Sequence, residues 1–267
     1  MDLNATEPTI DVLGPIGATV RGIRAPLGGR RPKTVLAALI LARGALVSEE
    51  QIIDAVWEER LPDKPRQALH TYVADLRRAL EPWRCARQTP VVLLRHAGGY
   101  RLELGRDALD SARFARLVLG GASAAADGHP AEALAHVEAA LRMWRGPAYA
   151  DLAGLRLVQA ETARLAELRS TAREIRVAAR LALGEHHLTL ADSEELTADY
   201  PLRESGWALR AQALYRCGRQ AEALAVLGSA RRLLREELGV DPGPELARMT
   251  ERVLAHDPAL QWRAAAG

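Results

Sequence analysis

Two cysteines, Cys85 and Cys217, are the whole thiol inventory of this 267-residue chain. They lie far apart and in no metal or redox spacing. That excludes a disulfide framework and a thiolate cage, and leaves two reduced thiols, as expected of a cytoplasmic protein. Long apolar runs are missing too: the longest, Val35 to Ala42, is far too short to cross a bilayer. The first 25 residues carry acids and no apolar core segment, so no secretion signal is expected. Nor is there an excess of one charge, since a net charge of +2 does not mark a nucleic-acid protein by itself. No glycine-rich phosphate loop, His/Glu metal spacing or nucleophile elbow occurs, so neither an enzyme nor a cofactor or metal site is expected. His186-His187 is the nearest thing to a ligand pair, but adjacent helix residues diverge by about 100° and do not converge on one ion.

What is present favours helices. Aromatics make up 4% and hydrophobics 48%, mostly Ala, Leu and Val, a mix that lets helices approach closely through small side chains. All basic residues except Lys33 and Lys64 are arginine, which with the heavy alanine use points to a GC-rich coding genome. The length suits two domains, each with its own core. Residues 1–105 carry a net +3 and the remainder a net −1.

The most informative stretch runs from Asp63 to Leu80. Read as a helix, it places Leu69, Val73, Leu76 and Leu80 in one apolar stripe. Gln67, Thr71, Ala74 and Arg78 fall on the opposite side, His70 at its edge, and Arg66 and Arg77 on a flank. Pro65 opens this helix. The preceding helix starts at a capping box, Ser48-Glu49-Glu50-Gln51, and continues in Ile52, Ile53, Val56 and Trp57. A first helix opens at Pro32 and closes at Gly44, so three short helices are expected over about residues 31 to 81. Thr9–Leu13 and Ala18–Val20 read as strands ahead of them, and Arg95-His96-Ala97-Gly98-Gly99-Tyr100 as a basic hairpin after them. Strands, three helices and a basic hairpin in this order make a winged helix-turn-helix.

From residue 106 on, the pattern is helical and repetitive. Gly128-His129-Pro130-Ala131-Glu132-Ala133-Leu134-Ala135 recurs as Gly218-Arg219-Gln220-Ala221-Glu222-Ala223-Leu224-Ala225. Gly184 precedes Gly218 by 34 residues, the tetratricopeptide period. A lengthened helix is expected around Leu155 to Arg180. Trp57, Trp144 and Trp207 read as core anchors. Near the end a helix stops at Gly239, Asp241 is expected to cap, and Glu245 begins the last helix. The tail Ala264 to Gly267 is expected to fray. The fold class is therefore mostly α: an N-terminal winged helix-turn-helix with a small antiparallel sheet over 1–105, then an all-α tetratricopeptide-like domain over 106–267.

Several of these stretches carry a resemblance. Leu13-Gly14-Pro15, Leu27-Gly28-Gly29, Ile53-Asp54-Ala55-Val56-Trp57, Tyr72 to Leu80 and Gly99-Tyr100-Arg101-Leu102 come first. Trp144-Arg145-Gly146-Pro147, Tyr215 to Leu224 and Glu237 to Leu246 follow. In this order they resemble the Streptomyces antibiotic regulatory proteins along nearly the whole chain. The resemblance implies a winged helix similar to response-regulator effector domains, binding direct repeats of double-stranded DNA near promoters. It also implies a bacterial transcriptional activation domain that supports a homodimer. The expected partner is RNA polymerase with its principal sigma factor, at antibiotic or other secondary-metabolite gene clusters, in the cytoplasm at the nucleoid and away from membranes. Neither a receiver ahead of the winged helix, with aspartyl phosphorylation as its switch, nor the ATPase or phosphopeptide-binding module of larger relatives is expected. Arg95-His96-Ala97-Gly98 departs from the Thr- and Pro-rich wing of the family.

On the helix faces, Gln67, His70, Thr71 and Arg78 are the candidate base contacts, because Arg pairs bidentately with guanine and Gln with adenine. Lys64, Arg66, Arg77 and Arg95 are the candidate phosphate contacts, and His96, Gly98 and Gly99 the wing. Two alternatives stay open on residues alone: a helical interaction scaffold whose winged helix meets protein, and a repressor using the same DNA contacts.

Overall fold

The computed structural model describes residues 7–58, 60–85 and 88–261; the tail Ala264–Gly267 lies outside them. The chain is mostly α, a winged helix-turn-helix followed by tetratricopeptide-like helices. It divides into two compact units that no single cut separates: Met1–Ala115 with Arg142–Ala166, and Arg116–Leu141 with Glu167–Gly267.

In the first unit, β1 (Thr9–Asp11), β2 (Gly17–Val20) and β3 (Ile23–Arg24) form an antiparallel sheet in that order. The short third strand follows an Arg21-Gly22 turn in which both residues have positive φ, the geometry that closes two-residue hairpins. Helix α1 (Arg30–Leu41) is buried almost continuously from Thr34 to Ile40, because it packs against both α2 (Glu49–Val56) and α3 (Pro65–Leu80). The capping box of α2 forms as expected: Ser48 Oγ accepts from the Gln51 amide at 3.1 Å, and Gln51 Oε1 from the Ser48 amide at 3.0 Å. A second sheet has the order β4 (Val47–Ser48), β6 (Gly99–Leu102), β5 (Leu93–His96). Its register sets Ser48 opposite Gly99, which ties the start of α2 to the wing. Trp57 is buried and stacks on Tyr72, with centroids 6.0 Å apart.

Part of the chain expected in the helical half belongs to this unit. Asp110, the first residue of α4 (Asp110–Ala126), is fully buried. Its carboxylate accepts from the Val12 and Leu13 amides at 2.8 and 3.1 Å and pairs with Arg145 at 2.7 Å. Asp151 accepts from the Ile16 amide at 2.9 Å and pairs with Lys33. Buried amides next to a strand need acceptors, and these two carboxylates supply them from downstream. Trp144 meets Phe114 edge-on, with centroids 5.3 Å apart.

The second unit comprises the rest of α4, α5 (Pro130–Leu141), the rest of α6 (Arg156–Ala182), α7 (His186–Asp199), α8 (Glu204–Arg216), α9 (Gln220–Leu238) and α10 (Pro244–Leu254). The lengthened helix is α6, and α7 and α9 start 34 residues apart. Gly184 and Gly218 take the left-handed conformation that turns one helix into the next. Ala133, Ala140, Ala211, Ala223 and Ala230 are fully buried at the helix contacts. Trp207 is half-buried, and its Nε1 donates to the Pro201 carbonyl at 2.7 Å. One expected cap is not made. Asp241 pairs with Arg235 at 2.6 Å instead, and the N-cap of α10 is Gly243, whose amide donates to Glu204.

Candidate DNA interface

The alternation along α3 decides what it shows to solvent. Leu69, Val73, Leu76 and Leu80 are buried against the first unit's core, as a 3.6-residue period requires. Gln67, His70, Thr71 and Arg78 are all exposed on the other side, as are Lys64 and Arg66 at the helix start. Lys64 is the N-cap, ahead of Pro65 at N1. Thr71 donates its hydroxyl to the Gln67 carbonyl at 3.1 Å, so that proton is engaged within the helix.

The wing adds Arg95 and His96, both exposed. Gly98 has φ 83° and its carbonyl accepts from the Glu49 amide at 3.0 Å. Gly99 is buried, and a Cβ there would lie 2.2 Å from the Val47 carbonyl oxygen, so only glycine admits β4 so close. Both wing glycines thus join the hairpin to α2.

Arg77 differs from the other candidate cations. It is half-buried, Nε donates to the Leu93 carbonyl at 2.9 Å, and its guanidinium lies 5.8 Å from the centre of the Tyr100 ring. Burial lowers its pKa from the ordinary arginine value. Burial likewise raises the pKa of Tyr100. The Arg77 side chain ties α3 to the wing.

Most outward basic side chains have an acidic neighbour. Arg66 pairs with Glu50 at 3.6 Å, Arg78 with Asp75 at 3.2 Å, and both His70 and Arg95 with Glu49, at 3.1 and 3.6 Å. Sequence reading missed these acids because Glu49 and Glu50 sit inside the capping box and were read as part of a helix start. It also missed Glu81, whose buried carboxylate accepts from the Val91 and Val92 amides, both at 2.6 Å, and so holds the approach to the wing. Among the described residues no His/Cys/Asp/Glu group could hold a metal ion, and no helix is long and apolar enough to cross a membrane.

A winged helix joined to tetratricopeptide-like helices is the make-up of a bacterial transcription regulator. Residues 28–102 match the family model "Transcriptional regulatory protein, C terminal", and residues 109–254 match "Bacterial transcriptional activator domain". RedD of Streptomyces coelicolor, a transcriptional regulator, is 35% identical over 259 residues, covering 95% of this chain and 74% of RedD. The chain belongs to the Streptomyces antibiotic regulatory protein family of transcriptional activators.

Two further relatives are larger. AfsR of Streptomyces coelicolor is 38% identical over 96% of this chain and 25% of AfsR. EmbR of Mycobacterium tuberculosis is 35% identical over 92% of this chain, which spans 63% of EmbR's length. A solved structure of M. tuberculosis EmbR, in complex with a low-affinity phosphopeptide, superposes with a TM-score of 0.86 at 34% identity, covering 94% of this chain and 66% of that one.

Proposed function

We propose that this protein is a sequence-specific DNA-binding activator that binds direct repeats upstream of promoters and recruits RNA polymerase with its principal sigma factor. It acts as a homodimer in the cytoplasm, at a gene cluster for an antibiotic or other secondary metabolite. The observation that carries the reading is the outward face of α3: Gln67, His70, Thr71 and Arg78 are exposed together beside Arg95 and His96 of the wing. In this reading Gln67, Thr71 and Arg78 meet base edges in a major groove, with His70 at the margin. Lys64, Arg66 and Arg95 meet phosphates. Arg77, engaged by Leu93 and Tyr100, orients the wing. Binding titrations at two salt concentrations test this, using a duplex selected by the protein from a random pool and a random duplex. Arg78→Ala weakens the selected duplex by about 1–3 kcal/mol and spares the random one. Arg95→Ala weakens both and flattens the salt dependence by about one unit of slope. Equal losses for Arg78→Ala on both duplexes remove it as a reader. A wild-type chain that binds neither duplex defeats the whole reading. In vitro transcription from a promoter carrying the selected site then tests activation and its sign.

A further inference from the structure

Glu49 stands where three elements of the candidate interface meet, and the reading above gives it no role. It is the first residue of α2, and its amide is fixed to the wing at Gly98. Its side chain is only 15% exposed, although His70 and Arg95, which it meets, are solvent-facing. One carboxylate oxygen lies 3.1 Å from His70 Nε2 on α3 and 3.6 Å from an Arg95 nitrogen on β5. We propose that Glu49 is a positioning residue for DNA reading: it locks the recognition helix to the wing through His70 and Arg95, lowering affinity for arbitrary DNA and raising discrimination.

The proposal rests on the DNA-binding reading and follows from two physical effects. A long arginine stem free to turn meets any nearby phosphate, whereas one held by a carboxylate presents its remaining donors in a fixed direction. The anionic charge itself opposes a polyanion, so only a duplex that satisfies the fixed donors binds tightly against it. The neighbouring Glu50 is the internal contrast. It is 80% exposed with one pair at 3.6 Å, so it carries the same charge without the junction.

The experiment compares Glu49→Gln and Glu50→Gln in the full chain, on a duplex selected by the wild-type protein and on a random duplex. Glu50→Gln raises affinity for both by the same factor. Glu49→Gln steepens the log–log salt slope on the random duplex by about 0.9, the share of one phosphate contact. The same variant reduces the selected-to-random ratio about tenfold, the size of one misdirected contact. In a background carrying His70→Ala and Arg95→Ala, Glu49→Gln lowers the ratio no further. Glu49→Asp, which keeps the charge on a shorter stem, lowers the ratio and raises random-duplex affinity by less than Glu49→Gln does. If Glu49→Gln shifts both duplexes by one common factor, as Glu50→Gln does, the proposal falls and Glu49 is only a charge. If the wild-type chain shows no preference for the selected duplex, the DNA-binding reading falls first.

Discussion

The two compact units bury polar groups in opposite ways. In the first unit, single carboxylates reach across the chain to backbone amides: Asp110 to Val12 and Leu13, Glu81 to Val91 and Val92. In the second, arginines of α6 thread between carboxylates. Arg173 pairs with Glu195 and Asp199, Arg176 with Asp192, and Arg180 with Asp192, Glu138 and Glu185. The facing helix α7 buries Thr189, Ser193 and Thr197, whose hydroxyls donate back to carbonyls of their own helix. A carboxylate buried against amides cannot be replaced by water. The α6 arginines are only 7–20% exposed, but they share carboxylates, with Asp192 meeting both Arg176 and Arg180, so the loss of one member leaves its partner paired. The first arrangement therefore fixes a strand and a hairpin in one position, and the second tolerates change.

Three substitutions put that contrast under strain. Asp110→Ala leaves two amides without acceptors and Arg145 without its nearest carboxylate. It costs about 3–5 kcal/mol, read as a lower midpoint in urea unfolding at an unchanged slope. Ala223→Leu overfills the α8–α9 contact, where Ala223 is fully buried among alanines and leucines, and costs about 1–3 kcal/mol by the same measurement. Arg180→Ala, by contrast, leaves Asp192 paired with Arg176 and takes one partner from Glu138 and Glu185, which are partly exposed, so it costs less, about 1–2 kcal/mol, with a loss that shrinks as salt rises. An Arg180→Ala penalty equal to that of Asp110→Ala would erase the distinction between the units.

What sequence patterning made legible follows the same division. The faces of α3 were readable because its large buried side chains are Leu and Val at helical spacing. The capping box, the Gly184 to Gly218 spacing and the stop at Gly239 were readable because each is settled within a few neighbouring residues or by a fixed repeat. Helix α7 offers no apolar face to read, since three of its four buried residues are Thr or Ser. The role of Asp110 was invisible because its partners Val12 and Leu13 lie 98 and 97 positions away. Arg77 and Arg95 look alike in sequence, yet one lies against Leu93 and Tyr100 and the other faces solvent beside Glu49. No local pattern separates two arginines whose fate depends on which strand folds beneath them.

The clasp formed by Asp110, Arg145 and Asp151 bears on how this regulator can be taken apart. A chimera spliced after residue 105 would carry α3 and the wing but leave behind the side chains that cover Val12, Leu13 and Ile16. The first unit is discontinuous, and moving it intact between relatives requires taking Arg142–Ala166 together with Met1–Ala115.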